Sequence, residues 1–72
     1  MTTKELVKTI YTINVHSNKG VDTYNIETQY KPLWQVKQEL ENRYRSMYKV
    51  KGSIILEVIS MQEVYNWWTN NN

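Results

Sequence analysis

The sequence contains no cysteine, no phenylalanine and no alanine, and only one proline, two glycines, one histidine and one aspartate among 72 residues. Without thiols there is no disulfide, no cysteine nucleophile and no thiolate zinc site, and a lone His16 supplies no imidazole pair for a metal or a proton relay. Gly20 and Gly52 stand apart, so no glycine-rich loop cradles a phosphate. No run approaches the roughly 18 apolar residues of a membrane span, and Met1-Thr2-Thr3-Lys4-Glu5 lacks the apolar core of a secretory signal. These two absences lead us to expect a cytoplasmic protein without a membrane partner. An excess of one charge is also missing: nine Lys and Arg against seven Asp and Glu leave +2, too little by itself to imply a polyanionic partner.

What remains fits one small domain over residues 1–72, with no repeat, no linker and no biased stretch except Asn70-Asn71-Asn72, expected to fray together with Thr69. A chain this short buries only about 60% of its unfolded surface, which favours a homodimer before any residue is read. Apolar residues alternate from Leu6 to His16, placing Val7, Thr9, Tyr11, Ile13 and Val15 on one face of a first strand. Ser17-Asn18-Lys19-Gly20 supplies a turn, and alternation resumes from Val21 to Tyr30. A four-residue loop pairs Ile13 with Tyr24, Tyr11 with Ile26, Thr9 with Thr28 and Val7 with Tyr30, whereas a loop one shorter sets Ile13 against Asn25. The other face, with His16, Asn14, Thr12, Ile10 and Lys8, is mostly polar and suited to water.

Lys31-Pro32 marks a helix start, and Leu33, Val36, Leu40, Tyr44 and Met47 form one apolar stripe that covers the hairpin's apolar face. Gly52 is the expected left-handed stop, with the helix ending between Met47 and Lys51. Ser53 to Ser60 reads as a third strand, apolar on both sides. Ser60-Met61-Gln62-Glu63 then resembles a capping box, and Met61, Val64, Tyr65 and Trp68 fit a short amphipathic helix, the reading preferred over an extension of the third strand. The expected fold class is therefore α+β, a small ββαβ sheet with one main helix on one face and a short C-terminal helix.

No group of residues assembles into a catalytic, cofactor or metal site. His16 beside Asp22 is better explained as a solvated residue near a turn, and Glu39 and Glu41, two apart on a helix, point in different directions. Two features look functional. Residues 31–51 hold six cations and two acids, a local +4, and Arg43, Arg45, Lys49 and Lys51 interleave with Tyr44 and Tyr48 in a mixture suited to nucleic acid. Cations near a helix C-terminus are also favoured for structural reasons alone, and that explanation is the stronger. Trp67 and Trp68, in a chain with three Trp and six Tyr, either fill the core or form a binding surface. Leu6, Ile10, Ile55 and Ile59, on the sheet face away from the main helix, are the candidate dimer interface.

The Ser17 to Gly20 hairpin, the Lys31-Pro32 helix start, the Gly52 stop and the Ser53-Ile54-Ile55-Leu56-Glu57-Val58-Ile59 strand together resemble the Yopt family of small uncharacterised proteins from SPβ-like Bacillus prophages. The likeness covers the whole chain without a diagnostic motif. It implies a homodimer of subunits with three strands and one helix, and a second helix after Ser60 departs from that pattern. The resemblance carries no activity and no site residue. The expected function is accordingly a non-enzymatic, dimeric prophage accessory protein that binds a host or phage protein. The alternative is a nucleic-acid-binding module using the basic segment 43–51, with Lys37 beside it.

Overall fold

The computed structural model describes residues 2–69 of the chain. Strand β1 (Thr2–Ser17) is followed by β2 (Gly20–Thr28), helix α1 (Leu33–Tyr48) and β3 (Ile55–Thr69). The sheet order is β2-β1-β3, with β1 antiparallel to both neighbours, so α1 carries the chain across β1 between two strands that run the same way. This is a small α+β fold. Among the described residues no helix is long and apolar enough to cross a membrane.

The hairpin register follows from like faces meeting: Ile13 is opposite Tyr24, Tyr11 opposite Ile26 and Thr9 opposite Thr28. Pairing continues to Ser17 and Gly20, leaving Asn18-Lys19 as the turn. Gly20 has φ 118°, a conformation that a side chain would strain, and the Lys19 N–H donates to Ser17 Oγ at 3.1 Å. β2 ends at Thr28, so Val7 and Tyr30 do not pair.

Helix α1 lays Val36, Leu40 and Tyr44 on Tyr11, Ile13 and Val15, and Val50 completes this buried cluster. Partly buried Tyr24, Ile26, Leu33, Ile54 and Leu56 surround it. Pro32 begins the helix through its carbonyl, which accepts the Gln35 and Val36 N–H groups at 3.1 Å each. The helix ends at Tyr48, within the expected limits of Met47 and Lys51, but the residue that caps it differs from expectation. Lys49, with φ 53° and ψ 43°, takes the left-handed position assigned to Gly52, and the Val50 N–H reaches back to the Arg45 carbonyl at 3.1 Å. This bond spans the last turn and directs Val50 into the core, so burial of Val50 sets the cap and Gly52 lies beyond it. Met47 falls off the buried stripe and is 58% exposed.

The expected C-terminal helix is absent, because residues 61–69 continue β3. An eight-residue helix is marginal without packing, whereas the first residues of β1 offer a ladder of backbone partners, broken only at Val7, to a segment rich in Val, Tyr, Trp and Thr. The third strand thus runs from Ile55 to Thr69 where Ser53 to Ser60 was expected. Two register shifts interrupt its pairing with β1, leaving Val7 without a partner on β1 and Ile59 without one on β3. Residues 70–72, expected to fray, lie outside the described residues.

The result is long and thin, 60 × 16 × 15 Å, with a radius of gyration of 16.4 Å. A compact chain of this length has about 11 Å. We predict that Leu40→Ala, at the centre of the helix–sheet contact, costs about 2–5 kcal/mol in chemical denaturation. A loss below about 1 kcal/mol would show that α1 contributes little to the fold.

Candidate functional site

Because β2 stops opposite Thr9, the preceding part of β1 pairs only with the end of β3. The molecule therefore carries a two-stranded arm made of residues 2–8 and 64–69. The unpaired Val7 decides which side chains meet on it. Ile10 is opposite Gln62 and Leu6 opposite Tyr65, three residues further along β3, so Leu6 and Ile10 occupy opposite faces of the sheet. Leu6 joins Lys4, Tyr65 and Trp67 on the side that α1 covers elsewhere.

Their contacts agree with that placement. Lys4 Nζ sits 4.6 Å from the Tyr65 ring centre and 5.3 Å from that of Trp67, and the two rings are 6.4 Å apart and tilted by 59°. Tyr65 donates its hydroxyl proton to Glu63 Oε2 at 2.6 Å, and that bond raises the tyrosine pKa above its ordinary value. At the base of the arm, Gln29 Nε2 donates to the Leu6 carbonyl at 3.2 Å and to the Tyr30 hydroxyl at 3.3 Å. Trp67 is 64% exposed. Trp68, opposite Thr3, lies on the reverse face and is exposed as well, so neither tryptophan fills the core.

The four residues expected at a dimer interface do not form one patch. Ile10 and Ile55 share the face away from α1, about 20 Å apart along β1 at 3.3 Å per residue. Between and around them that face is closed by polar pairs. Thr12 Oγ1 donates to Asn25 Oδ1 at 2.8 Å and Thr23 Oγ1 to Asn14 Oδ1 at 2.6 Å, while Lys8 meets Glu27 at 3.1 Å and His16 meets Glu57 at 2.8 Å. Leu6 is on the other face, and Ile59 is the unpaired residue of the β3 irregularity. His16 therefore faces Glu57, and Asp22 has a different partner.

That partner is Tyr44, whose buried hydroxyl donates to Asp22 Oδ2 at 2.7 Å and lies 3.2 Å from Ser17 Oγ. The Ser17 contact, its strongest influence, lowers the Tyr44 pKa, but the bond to Asp22 and burial outweigh it and raise the value. Tyr24 stands edge-on to Tyr44 at 6.2 Å, and the Tyr48 ring lies 4.7 Å from that of Tyr44, tilted by 48°. Burial raises the Tyr24 pKa, with the Tyr48 hydroxyl adding to it. Tyr44, on the stripe expected from the sequence, pins the end of α1 to the hairpin, with Tyr24 and Tyr48 packed against it.

The basic segment also divides. Arg45 is committed to the chain itself: its Nη1 donates to the carbonyls of Val50 at 3.1 Å and Gly52 at 2.9 Å, closing the connection to β3. Arg43 leans to the opposite flank, lining a cleft between α1 and β2. Lys49 is the left-handed cap, Lys51 is exposed in the connection, and Lys37 borders a shallow depression beside Leu56. Among the described residues no three His, Asp or Glu side chains gather where a metal ion could be held.

Comparison with known proteins adds no relative: no protein-family model, no curated protein and no solved structure matches the chain. Fold and site define a small α+β protein with a projecting aromatic ribbon and an open cleft beside its shortest strand. We predict that Arg45→Ala costs about 1–2 kcal/mol, the value of charge-assisted bonds discounted for partial exposure. Arg43→Ala and Lys51→Ala should each stay within about 0.5 kcal/mol of the parent in urea denaturation. Equal losses at all three positions would contradict a structural role peculiar to Arg45.

Proposed function

We propose that this protein is a non-enzymatic prophage accessory protein that works as a homodimer and acts by binding another protein. The observation that carries the reading is the arm. A two-stranded ribbon is at best marginally stable in water by itself, and this one has apolar side chains on both faces: Leu6, Tyr65 and Trp67 on one, Val64 and Trp68 on the other. Large aromatics each bury about 150–250 Å² when covered, so a second copy laid against the arm supplies the cover that α1 does not reach.

Charge favours a copy of the same chain. Lys4 and Glu63 flank the Tyr65–Trp67 patch with opposite signs, and a two-fold axis through the patch brings the cation of one copy towards the acid of the other. The dimer interface in this proposal is centred on Leu6, Tyr65 and Trp67, with Ile10, Ile55 and Ile59 outside it. The prophage setting rests on the Yopt resemblance of the sequence. The nucleic-acid reading loses support because Arg45 is occupied by backbone carbonyls and Arg43 lies on a different flank from the exposed connection carrying Lys51.

Sedimentation of the full chain tests this directly. At tens of micromolar we expect a dimeric mass for the parent and a shift towards monomer for Trp67→Ser, with the circular dichroism of the core retained. A monomeric parent at that concentration would overturn the proposal.

A further inference from the structure

We propose that the cleft between β2 and α1 is a second binding site, which takes an extended peptide segment as a fourth strand on β2, its carboxylate paired with Arg43. This deepens the protein-binding reading given above, on which it rests, by naming the chemistry of the partner, and it does not depend on how the arm is covered. The cleft measures about 420 Å³. Its floor is Tyr24, Ile26, Val36 and Leu40, so side chains entering from the β2 edge meet the margin of the core.

β2 is hydrogen-bonded to β1 on one side only. In a hairpin closed by a two-residue turn the closing pair exchanges both backbone bonds, which leaves Val21, Thr23, Asn25 and Glu27 with N–H and C=O groups turned outwards. Natural proteins blunt such edges with Lys, Pro or a bulge. Gly20 to Thr28 contains neither Lys nor Pro, its two charges, Asp22 and Glu27, are engaged by Tyr44 and Lys8, and its pairing with β1 has no irregularity. The edge of β3 is different, because it is broken at Ile59 and the depression on its side of α1 is smaller and lined by Lys37, Gln38 and Glu41.

The charges of the cleft select the occupant. Glu27 is paired with Lys8 at 3.1 Å, and Glu39 with Lys31 at 2.6 Å. Arg43, exposed on the rim, makes no salt bridge among the described residues, and its charge reaches the Glu39 carboxylate, already held by Lys31, only through space. An added strand would supply backbone bonds to the edge, alternate apolar side chains to the floor and one acidic side chain to this guanidinium.

The test uses the full chain and synthetic peptides about as long as β2 that alternate Val and Thr and carry either one Asp or, as control, one Lys. Nuclear magnetic resonance titration should move signals of β2 and of the facing residues of α1, and slow amide exchange at Val21, Thr23, Asn25 and Glu27. Arg43→Glu should weaken the Asp peptide by about tenfold or more and reverse the preference between the two peptides. Absence of binding at millimolar peptide, shifts confined to the arm or to β3, or indifference to Arg43→Glu would each overturn the proposal. So would protection of the same amides that rises with protein concentration alone, which would make a second copy the occupant. Because the dimer is read by sedimentation without peptide, failure at the cleft and failure of the arm interface are distinguishable.

Discussion

A helix rises about 1.5 Å per residue and a strand about 3.3 Å, so the sixteen residues of α1 extend roughly 24 Å over a sixteen-residue β1 that extends roughly 53 Å. Among the described residues, the burial of Tyr11, Ile13 and Val15 beneath Val36, Leu40 and Tyr44 is consequently the one dry contact on which the rest depends. It fixes the hairpin register from one side and, through Val50, the start of the return strand. Among the described residues, the sheet beyond the reach of α1 has no cover.

Two consequences meet at the ends of that contact. Beyond the helix N-terminus, β1 and β3 leave β2 behind and become a ribbon, and Val7 brings Leu6 onto the face where Tyr65 and Trp67 stand. Beside the helix, β2 remains an open edge with Arg43 above an apolar floor. Around the helix C-terminus the same contact is secured by polar means. Arg45 holds the carbonyls of Val50 and Gly52, and the Tyr44 hydroxyl holds Asp22. Residues that look like a basic, aromatic surface in the sequence thus serve partly as fastenings of the core.

The hairpin was legible because alternation of period two is strict there and only one register matches Ile13 with Tyr24 and Tyr11 with Ile26. The helix was legible from Leu33, Val36, Leu40 and Tyr44, as was its end near Tyr48, but the exposure of Met47, at the end of the expected stripe, was not. Gly52 attracted the cap by residue type, whereas the burial of Val50 forced Lys49 into the left-handed position. The end of β3 reads as a helix in the sequence because Ser60-Met61-Gln62-Glu63 carries local capping chemistry, which pairing with a distant β1 overrides. The arm patch was hidden for a related reason. Neither Val7 nor Ile59 is a residue that announces an irregularity, yet the one at Val7 moves Lys4 and Leu6 together to the α1 side of the sheet.

The central claim is that the helix-covered half of the molecule is stable by itself and the arm is stable only when covered. Native-state hydrogen exchange, followed residue by residue over a range of protein concentrations, tests it most directly. The account predicts that amides around Tyr11 to Val15 and Val36 to Tyr44 exchange at rates independent of concentration, while those of residues 4–7 and 64–68 gain protection as concentration rises. Arm amides as protected as the core at every concentration would contradict it.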